Sequence, residues 1–238
     1  MRLILALLLA TLLASAVLAA LPGIDLAAAG AFYNGRVFPI AANRSVEAVR
    51  VALYWIEDLG FLVTLALALR GRPFLNLSGK DWLFQMLVYL LGPGLIVNAI
   101  LKPFWGRARP FQVTSFGGSA PFSRAWAISD HCCGNTSFVS GEMAGATALA
   151  ISLIMILRAN RPRLGDSFYR MGIFAVLLLP LWTAWQRMAA GKHFFSDIVV
   201  SALLVCLLAA VLRRLLPRKA APQPVLTSQL IPPISRLP

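Results

Sequence analysis

The polar residues of this chain concentrate in three short clusters whose residue types suit a site that handles phosphate. The clusters are Lys102 with Arg109-Pro110, Ser140-Gly141-Glu142, and Arg187 with His193 and Asp197. Transfer of a phosphoryl group needs cations around the phosphate oxygens, a nucleophile, and a group that orients it. The three clusters together contain each of these groups.

Spacing suggests a role for each cluster. The lysine and the arginines supply cationic hydrogen-bond donors for phosphate oxygens, with arginine offering a bidentate fork and lysine a point charge. Ser140 and Gly141 lie where an apolar segment begins, so free backbone N–H groups and the positive end of a helix dipole would face an anion. His193 precedes Asp197 by four residues. That spacing places both on one helix face, where the carboxylate can fix the imidazole tautomer.

Each residue also has an ordinary explanation when it is taken alone. Cations at a membrane boundary often extend to the interface, a serine before a helix is commonly a cap, and a histidine near a helix start is unremarkable. All of these groups on one side of one helical bundle are much harder to explain in this way. The chemical interpretation is therefore favoured.

The composition indicates an integral membrane protein. Hydrophobic residues make up 59% and charged residues 13% of the 238 residues, and the mean hydropathy is +0.75. A soluble domain would have about 25% charged residues. The net charge of +13 is not accompanied by a nucleic-acid recognition motif, so nucleic acid is excluded as a partner and an anionic substrate is favoured. The sequence shows no obligate protein partner.

Six apolar runs approach the length of about 20 residues that a helix needs to cross a bilayer. They cover residues 3–21, 50–69, 82–101, 138–157, 171–186 and 195–212. The fold class predicted from these runs is all-α, a polytopic bundle of six transmembrane helices. Residues 1–216 form its single domain, and the proline-rich segment 217–238 is predicted to be a disordered tail.

Basic residues predict the orientation of the bundle, because they accumulate in cytoplasmic loops. With both termini inside, the inner segments contain thirteen of the 22 basic residues. All three polar clusters then lie on the outer side. Small residues within 14–20 also allow a cleavable signal peptide, although the first run is long for one, and the rest of the topology is the same in either case.

The cysteines do not predict a metal site. Cys132 and Cys133 are adjacent in an outer loop, and no cysteine has the spacing of zinc ligands. A disulfide between two chains remains open.

The clusters resemble the signatures of the type 2 phosphatidic acid phosphatase (PAP2) superfamily. Six residues separate Lys102 from Arg109-Pro110, as in the first signature, and Arg187, five residues, His193, three residues and Asp197 match the third. The middle signature is Ser-Gly-His, usually after proline, and Ser140 and Gly141 match its first two positions. The resemblance covers about residues 100–197 and the layout of six helices.

The resemblance implies a metal-independent phosphatase that needs no cofactor. In that family His193 would attack phosphorus and form a phosphohistidine, Asp197 would orient it, and Lys102, Arg109, Arg187 and the Ser140-Gly141 amides would hold the phosphoryl oxygens. Glu142 stands where the family has the histidine that protonates the leaving oxygen. Burial would favour a protonated Glu142 and the surrounding cations would oppose it. The loop residue His131 is a substitute candidate for that acid.

A narrower similarity indicates the substrate. Residues 135–142, residues 22–26 and Phe32-Tyr33 are similar to the corresponding segments of bacterial lipid A phosphatases of this superfamily. That similarity favours a lipid A phosphate, hydrolysed in a bacterial inner membrane with the site facing the periplasm and both termini in the cytoplasm. The alternatives are a phosphatase for undecaprenyl diphosphate or phosphatidylglycerol phosphate, a lipid phosphotransferase, and a non-catalytic binder or transporter of lipid phosphates.

Overall fold

The computed structural model describes residues 1–131 and 136–216. The helices are α1 (Arg2–Ala20), α2 (Gly23–Gly30), α3 (Arg44–Arg70), α4 (Gly79–Tyr89), α5 (Lys102–Trp105), α6 (Gly141–Leu164), α7 (Asp166–Ala189) and α8 (Phe195–Leu215). A wide-turned π-helical segment, Leu90–Leu101, joins α4 to α5 without a break and contains Pro93. Apart from isolated bridges, the described residues form no strand. The predicted tail 217–238 and the Cys132-Cys133 pair lie outside the described residues.

The six predicted spans are confirmed. Among the described residues, six helices are long and apolar enough to cross a membrane: α1, α3, the continuous helix from α4 through α5, α6, α7 and α8. Several extend beyond the apolar runs, as α7 does by starting at Asp166 and ending at Ala189. Their polar ends continue the helix past the apolar run that the hydropathy pattern detects. The boundary of the predicted domain at residue 216 stays a prediction.

Helix α6 lies at the centre of the bundle. Half of its most apolar window is buried (50%), against 11% in α1, α3 and α7. It packs against α3, α4, α7, α8 and the π-helical segment. Ala144, Gly145 and Ala148 are buried along its length, and such small residues allow neighbouring membrane helices to approach closely. The beginning of α6 is thereby surrounded by the other spans.

The predicted outer end of the bundle, at which α6 and α8 begin, is covered by α2 and the segment that follows α5. Their apolar residues form a separate small core, in which Phe38 and Phe116 contact Tyr33 at ring-centroid distances of 5.3 and 5.4 Å. Phe194, which directly precedes α8, is part of this core and is fully buried. The core therefore fixes the start of α8, where the third polar cluster lies.

Candidate active site

The three predicted clusters converge on one cavity of about 780 Å³ at the outer end of the bundle. Six of the eight predicted site residues line it: Lys102, Arg109, Gly141, Glu142, Arg187 and His193. The other two, Ser140 and Asp197, are 0% exposed and lie behind the wall. Residues that are far apart in sequence thus meet because α5, α6, α7 and α8 begin or end at this level.

The imidazole of His193 is held in one orientation at the wall of the cavity. Its Nδ1 lies 2.8 Å from the carbonyl oxygen of Ser137. A carbonyl oxygen can only accept, so Nδ1 carries the proton and Nε2 is left with a free lone pair. Burial, reinforced by the positive charges of Lys102 and Arg109 and partly opposed by Asp197, lowers the pKa of His193 to about 4. The ring is therefore neutral at neutral pH, as a nucleophile must be.

Asp197 lies beside the imidazole but forms no direct hydrogen bond with it. Its Oδ2 is 3.6 Å from Nδ1 of His193, which is too long for a hydrogen bond. The same Oδ2 accepts hydrogen bonds from the Ser137 hydroxyl at 2.5 Å and from the Phe194 backbone N–H at 2.8 Å. Asp197 thus orients His193 indirectly. It holds Ser137 in place, and the carbonyl oxygen of Ser137 selects the tautomer of the imidazole. Sequence spacing could not reveal this step, since a backbone carbonyl has no residue signature.

Arg107 is a buried cation that the sequence patterns did not single out. Its guanidinium donates to Oδ1 of Asp197 at 2.6 Å and to Oδ2 of Asp25 at 2.8 Å. It is 0% exposed and lies 4.4 Å from the centroid of the Phe194 ring. A cation between two carboxylates satisfies the strict requirement that buried charges be paired. Its one sequence signal is its position inside the first signature, two residues before Arg109.

Asp25 was also missed, and it completes this network from α2. Its Oδ1 accepts from the Ser196 backbone N–H at 2.8 Å, and its Oδ2 accepts from the Ser196 hydroxyl at 2.6 Å. Ser196 lies in the first turn of α8, next to Asp197. Asp25 therefore ties α2 to the start of α8. Its signal in the sequence is the scarcity of acidic residues, of which the chain has nine.

Glu142 is bound by two guanidinium groups. Its Oε1 accepts from Arg187 at 2.6 Å and from Arg50 at 3.0 Å. Arg50 also pairs with the half-exposed Glu47 at 2.6 Å. In this arrangement Glu142 accepts hydrogen bonds from both guanidinium groups through the same oxygen, Oε1. Arg50 was not predicted, although Glu47, Arg50 and Glu57 follow one another at spacings that place them on one face of α3.

The start of α6 is shaped by Ser140 and Gly141. The Ser140 hydroxyl caps the helix by accepting from the Met143 backbone N–H at 3.3 Å. A Cβ atom at Gly141 would lie 2.8 Å from the Asn98 side-chain oxygen and 3.2 Å from Nζ of Lys102. Glycine therefore lets the ammonium group of Lys102 approach the helix N-terminus, where an anion binds most favourably.

One further cation lines the cavity. Lys192 directly precedes His193, and its Nζ lies 4.2 Å from the centroid of the Phe111 ring. Burial lowers the pKa of Lys192, and repulsion from Arg109 and Arg187 adds to this effect. A bound anion would relieve that repulsion.

The substitute acid suggested by the sequence is not brought to the site. His131 pairs weakly with the exposed Asp130 at 3.8 Å and does not line the cavity. Within residues 1–131 and 136–216, no three His, Cys, Asp or Glu side chains are grouped so that they could hold a metal ion.

Comparison with known proteins connects this geometry to a family. Residues 82–221 match the PAP2 superfamily. A lipid A 4'-phosphatase of Francisella tularensis subsp. novicida is 30% identical over 205 residues, which cover 83% of this chain and 88% of that protein. A lipid A 4'-phosphatase of Rhizobium etli is 29% identical over 208 residues, which cover 78% of this chain and 76% of that protein.

A solved structure supports the fold. The crystal structure of the first transmembrane PAP2 type phosphatidylglycerolphosphate phosphatase from Bacillus subtilis superposes with a TM-score of 0.55. The alignment covers 90% of this chain and 96% of that one at 19% sequence identity. At this identity the likeness concerns the fold alone.

Proposed function

The chain belongs to the PAP2 superfamily and is a membrane lipid phosphatase, and from this premise we propose that it removes a phosphate from lipid A through a phosphohistidine formed on His193. The observation that carries the mechanism is the position of the His193 imidazole, which is held by the Ser137 carbonyl at the wall of a cavity lined with cations. Its Nδ1 is occupied by the Ser137 carbonyl, so Nε2 is the atom that attacks phosphorus.

The proposed reaction has two steps. In the first, Nε2 of His193 forms a bond to phosphorus while the bond from phosphorus to the lipid oxygen breaks, and the leaving oxygen takes up a proton. In the second, water attacks the phosphohistidine, phosphate is released and the free imidazole returns. The Nδ1–H bond to Ser137 is kept throughout, so it stabilises the positive charge that the ring gains while phosphorus is bonded.

The cations hold the phosphoryl group during both steps. Lys102, Arg109 and Arg187 are proposed to bind its oxygens, together with the N–H groups at the start of α6 next to Gly141. We assign Glu142 a positioning role, because its pairing with Arg187 fixes the guanidinium at the cavity wall. Donors that are held at fixed positions around the phosphoryl group stabilise developing charge most strongly.

Lipid A is the preferred substrate because two similar proteins that align over most of this chain are lipid A 4'-phosphatases. We propose that the cavity opens to the periplasm of a bacterial inner membrane and that both termini lie in the cytoplasm. The distribution of basic residues supports this orientation. An anionic phospholipid would present the same phosphate chemistry to the same cations. The test must therefore compare lipids directly.

Phosphate release by the purified protein in detergent with EDTA tests the proposal. Lipid A, undecaprenyl diphosphate and phosphatidylglycerol phosphate are offered separately to the wild-type protein and to His193→Ala. We expect the fastest release from lipid A, its persistence in EDTA, and its loss in the variant. Faster release from either of the other lipids would contradict the substrate assignment, and release by His193→Ala would contradict the mechanism.

A further inference from the structure

The leaving lipid oxygen needs a proton, and Glu142 is poorly suited to supply it. An alkoxide is a poor leaving group, so a general acid at this step contributes about 10²- to 10⁴-fold to the rate. The Glu142 carboxylate already accepts hydrogen bonds from Arg187 and Arg50. Both guanidinium groups donate to the same oxygen, Oε1, so the contacts of Glu142 are those of an acceptor held between two cations. This geometry favours another group that reaches the cavity as the donor.

Glu57 of α3 has the properties that this donor requires. It lines the same cavity and is only 8% exposed. Within the described parts of the chain, its carboxyl group has no hydrogen bond and no ion pair. A buried carboxyl group without a cation beside it is costly to charge.

The backbone of α6 fixes the position of the Glu57 carboxyl group. A Cβ atom at Gly145 would overlap its Oε2, so the carboxyl group lies directly against this glycine. Gly145 is four residues after Gly141 on α6. Because a helix rises 1.5 Å per residue, the carboxyl group lies about 6 Å along the axis from the helix start that would bind phosphate. That is within reach of the leaving oxygen, directly or through one water molecule.

The direction of the cavity places the lipid on the same side as Glu57. Its lining residues on α3 run from Glu47 at the outer end to Phe61 deeper in the bundle, and those on α6 run from Gly141 to Gly145. With phosphorus beside His193, the leaving oxygen lies on the opposite side of phosphorus, as in-line displacement requires. The lipid then extends along the cavity towards Glu57.

We propose that Glu57 is the general acid and base of the reaction, an inference that rests on the proposed phosphatase function. As the bond from phosphorus to the lipid oxygen breaks, the Glu57 carboxyl group gives its proton to that oxygen and becomes a carboxylate. In the second step the carboxylate takes a proton from the attacking water. The resulting hydroxide oxygen bonds to phosphorus, the bond to Nε2 of His193 breaks, and protonated Glu57 is restored.

Glu57→Gln tests this role with two substrates that differ in leaving group. The glutamine has nearly the same shape but cannot transfer the proton. We expect kcat/KM for lipid A to fall by about 10²- to 10⁴-fold, and kcat/KM for p-nitrophenyl phosphate, whose leaving group departs without protonation, to stay within about threefold. The parameter kcat/KM reports the steps up to departure of the leaving group. Asp166→Asn, which also replaces a carboxylate with an amide but in an exposed ion pair with Arg161 away from the cavity, is the control and should leave both substrates unaffected.

Each outcome decides one question. Activity of Glu57→Gln on p-nitrophenyl phosphate demonstrates a folded site, so a selective loss on lipid A supports the inference. An equal loss on both substrates, or no loss on either, overturns it while leaving the proposed phosphatase intact. If the wild-type protein cleaves neither substrate, both proposals fail. Gly145→Ala, whose methyl group must displace the Glu57 carboxyl group, should reproduce the selective loss.

Discussion

The buried pairing of Asp25 with Arg107 predicts a large stability effect from a single-atom change. Asp25→Asn keeps the shape of the side chain but removes its charge. It also replaces one acceptor oxygen with an amide NH₂ group, which cannot accept a hydrogen bond from Arg107 or Ser196. Asp25 accepts hydrogen bonds at 2.6–2.8 Å from Arg107 and from the Ser196 hydroxyl and backbone N–H. Hydrogen bonds to a charged group contribute about 1.5–3 kcal/mol, against about 0.5–1.5 kcal/mol for neutral ones. Weakening these three hydrogen bonds should lower the free energy of unfolding by about 2–4 kcal/mol.

The loss stays moderate because Arg107 keeps its second carboxylate, Asp197. Arg107→Leu instead leaves two buried carboxylates without a cation, and breaking a buried pair from one side costs about 3–5 kcal/mol. Breaking two such pairs approaches the whole stability of a typical protein, about 5–15 kcal/mol. We therefore expect Asp25→Asn to accumulate in the membrane and Arg107→Leu not to accumulate.

Thermal unfolding in detergent, at one fixed scan rate, measures the difference. For a chain of this size the transition of Asp25→Asn should fall by on the order of 5–15 °C. Asp166→Asn is the control, because it makes the same change in an exposed ion pair with Arg161, where the expected effect is below about 1 kcal/mol. If Asp25→Asn unfolded at the temperature of the control variant, the network could not be what holds the start of α8.

Three further predictions follow from the site. In a His131→Gln background, where His193 is the single histidine, ¹⁵N NMR should show a neutral ring protonated on Nδ1 down to about pH 4. Because the unfolded chain binds a proton on this ring below about pH 6.5, the free energy of unfolding should fall as the pH drops from about 6.5 to about 4. A ring that titrates near pH 6.5 would contradict the assignment. Glu142→Gln should lower kcat/KM about 10- to 100-fold on lipid A and p-nitrophenyl phosphate alike, because Arg50 and Arg187 lose a charge-assisted acceptor; a loss on lipid A alone would instead identify Glu142 as the acid. A fluorescent protein fused to the C-terminus should fluoresce and alkaline phosphatase fused there should be inactive, and the reverse pattern would exclude a cytoplasmic C-terminus.

The spans could be predicted from sequence because the length and hydropathy of an apolar run determine whether it can cross a bilayer. The meeting of the three clusters followed from topology, since each cluster adjoins the outer end of a span. Polar contacts between distant segments were not accessible in this way. Asp25 and Arg107 are 82 positions apart, and neither residue forms a recognisable spacing with the other.

The environment of Glu142 illustrates the same limit. Its two opposing influences, burial and nearby cations, were both evident from the sequence, but their balance depends on Arg50, which reaches it from 92 positions away. Glu57 lies deep in a span, where a carboxyl group that faces lipid is costly. Glu57 has no hydrogen-bond or ion-pair partner among residues 1–131 and 136–216, which distinguishes it from Glu142, and this became evident only in three dimensions.

The central claim is that His193 becomes covalently phosphorylated, and trapping that intermediate tests it most directly. Lipid A carrying ³²P is mixed with a molar excess of purified protein, quenched in alkaline denaturant within milliseconds, and digested so that labelled peptides can be identified. We predict acid-labile, alkali-stable label on the peptide that contains His193 and none in His193→Ala. Label on any other residue, or phosphate release by the wild-type protein with no labelled intermediate at any quench time, would contradict the account.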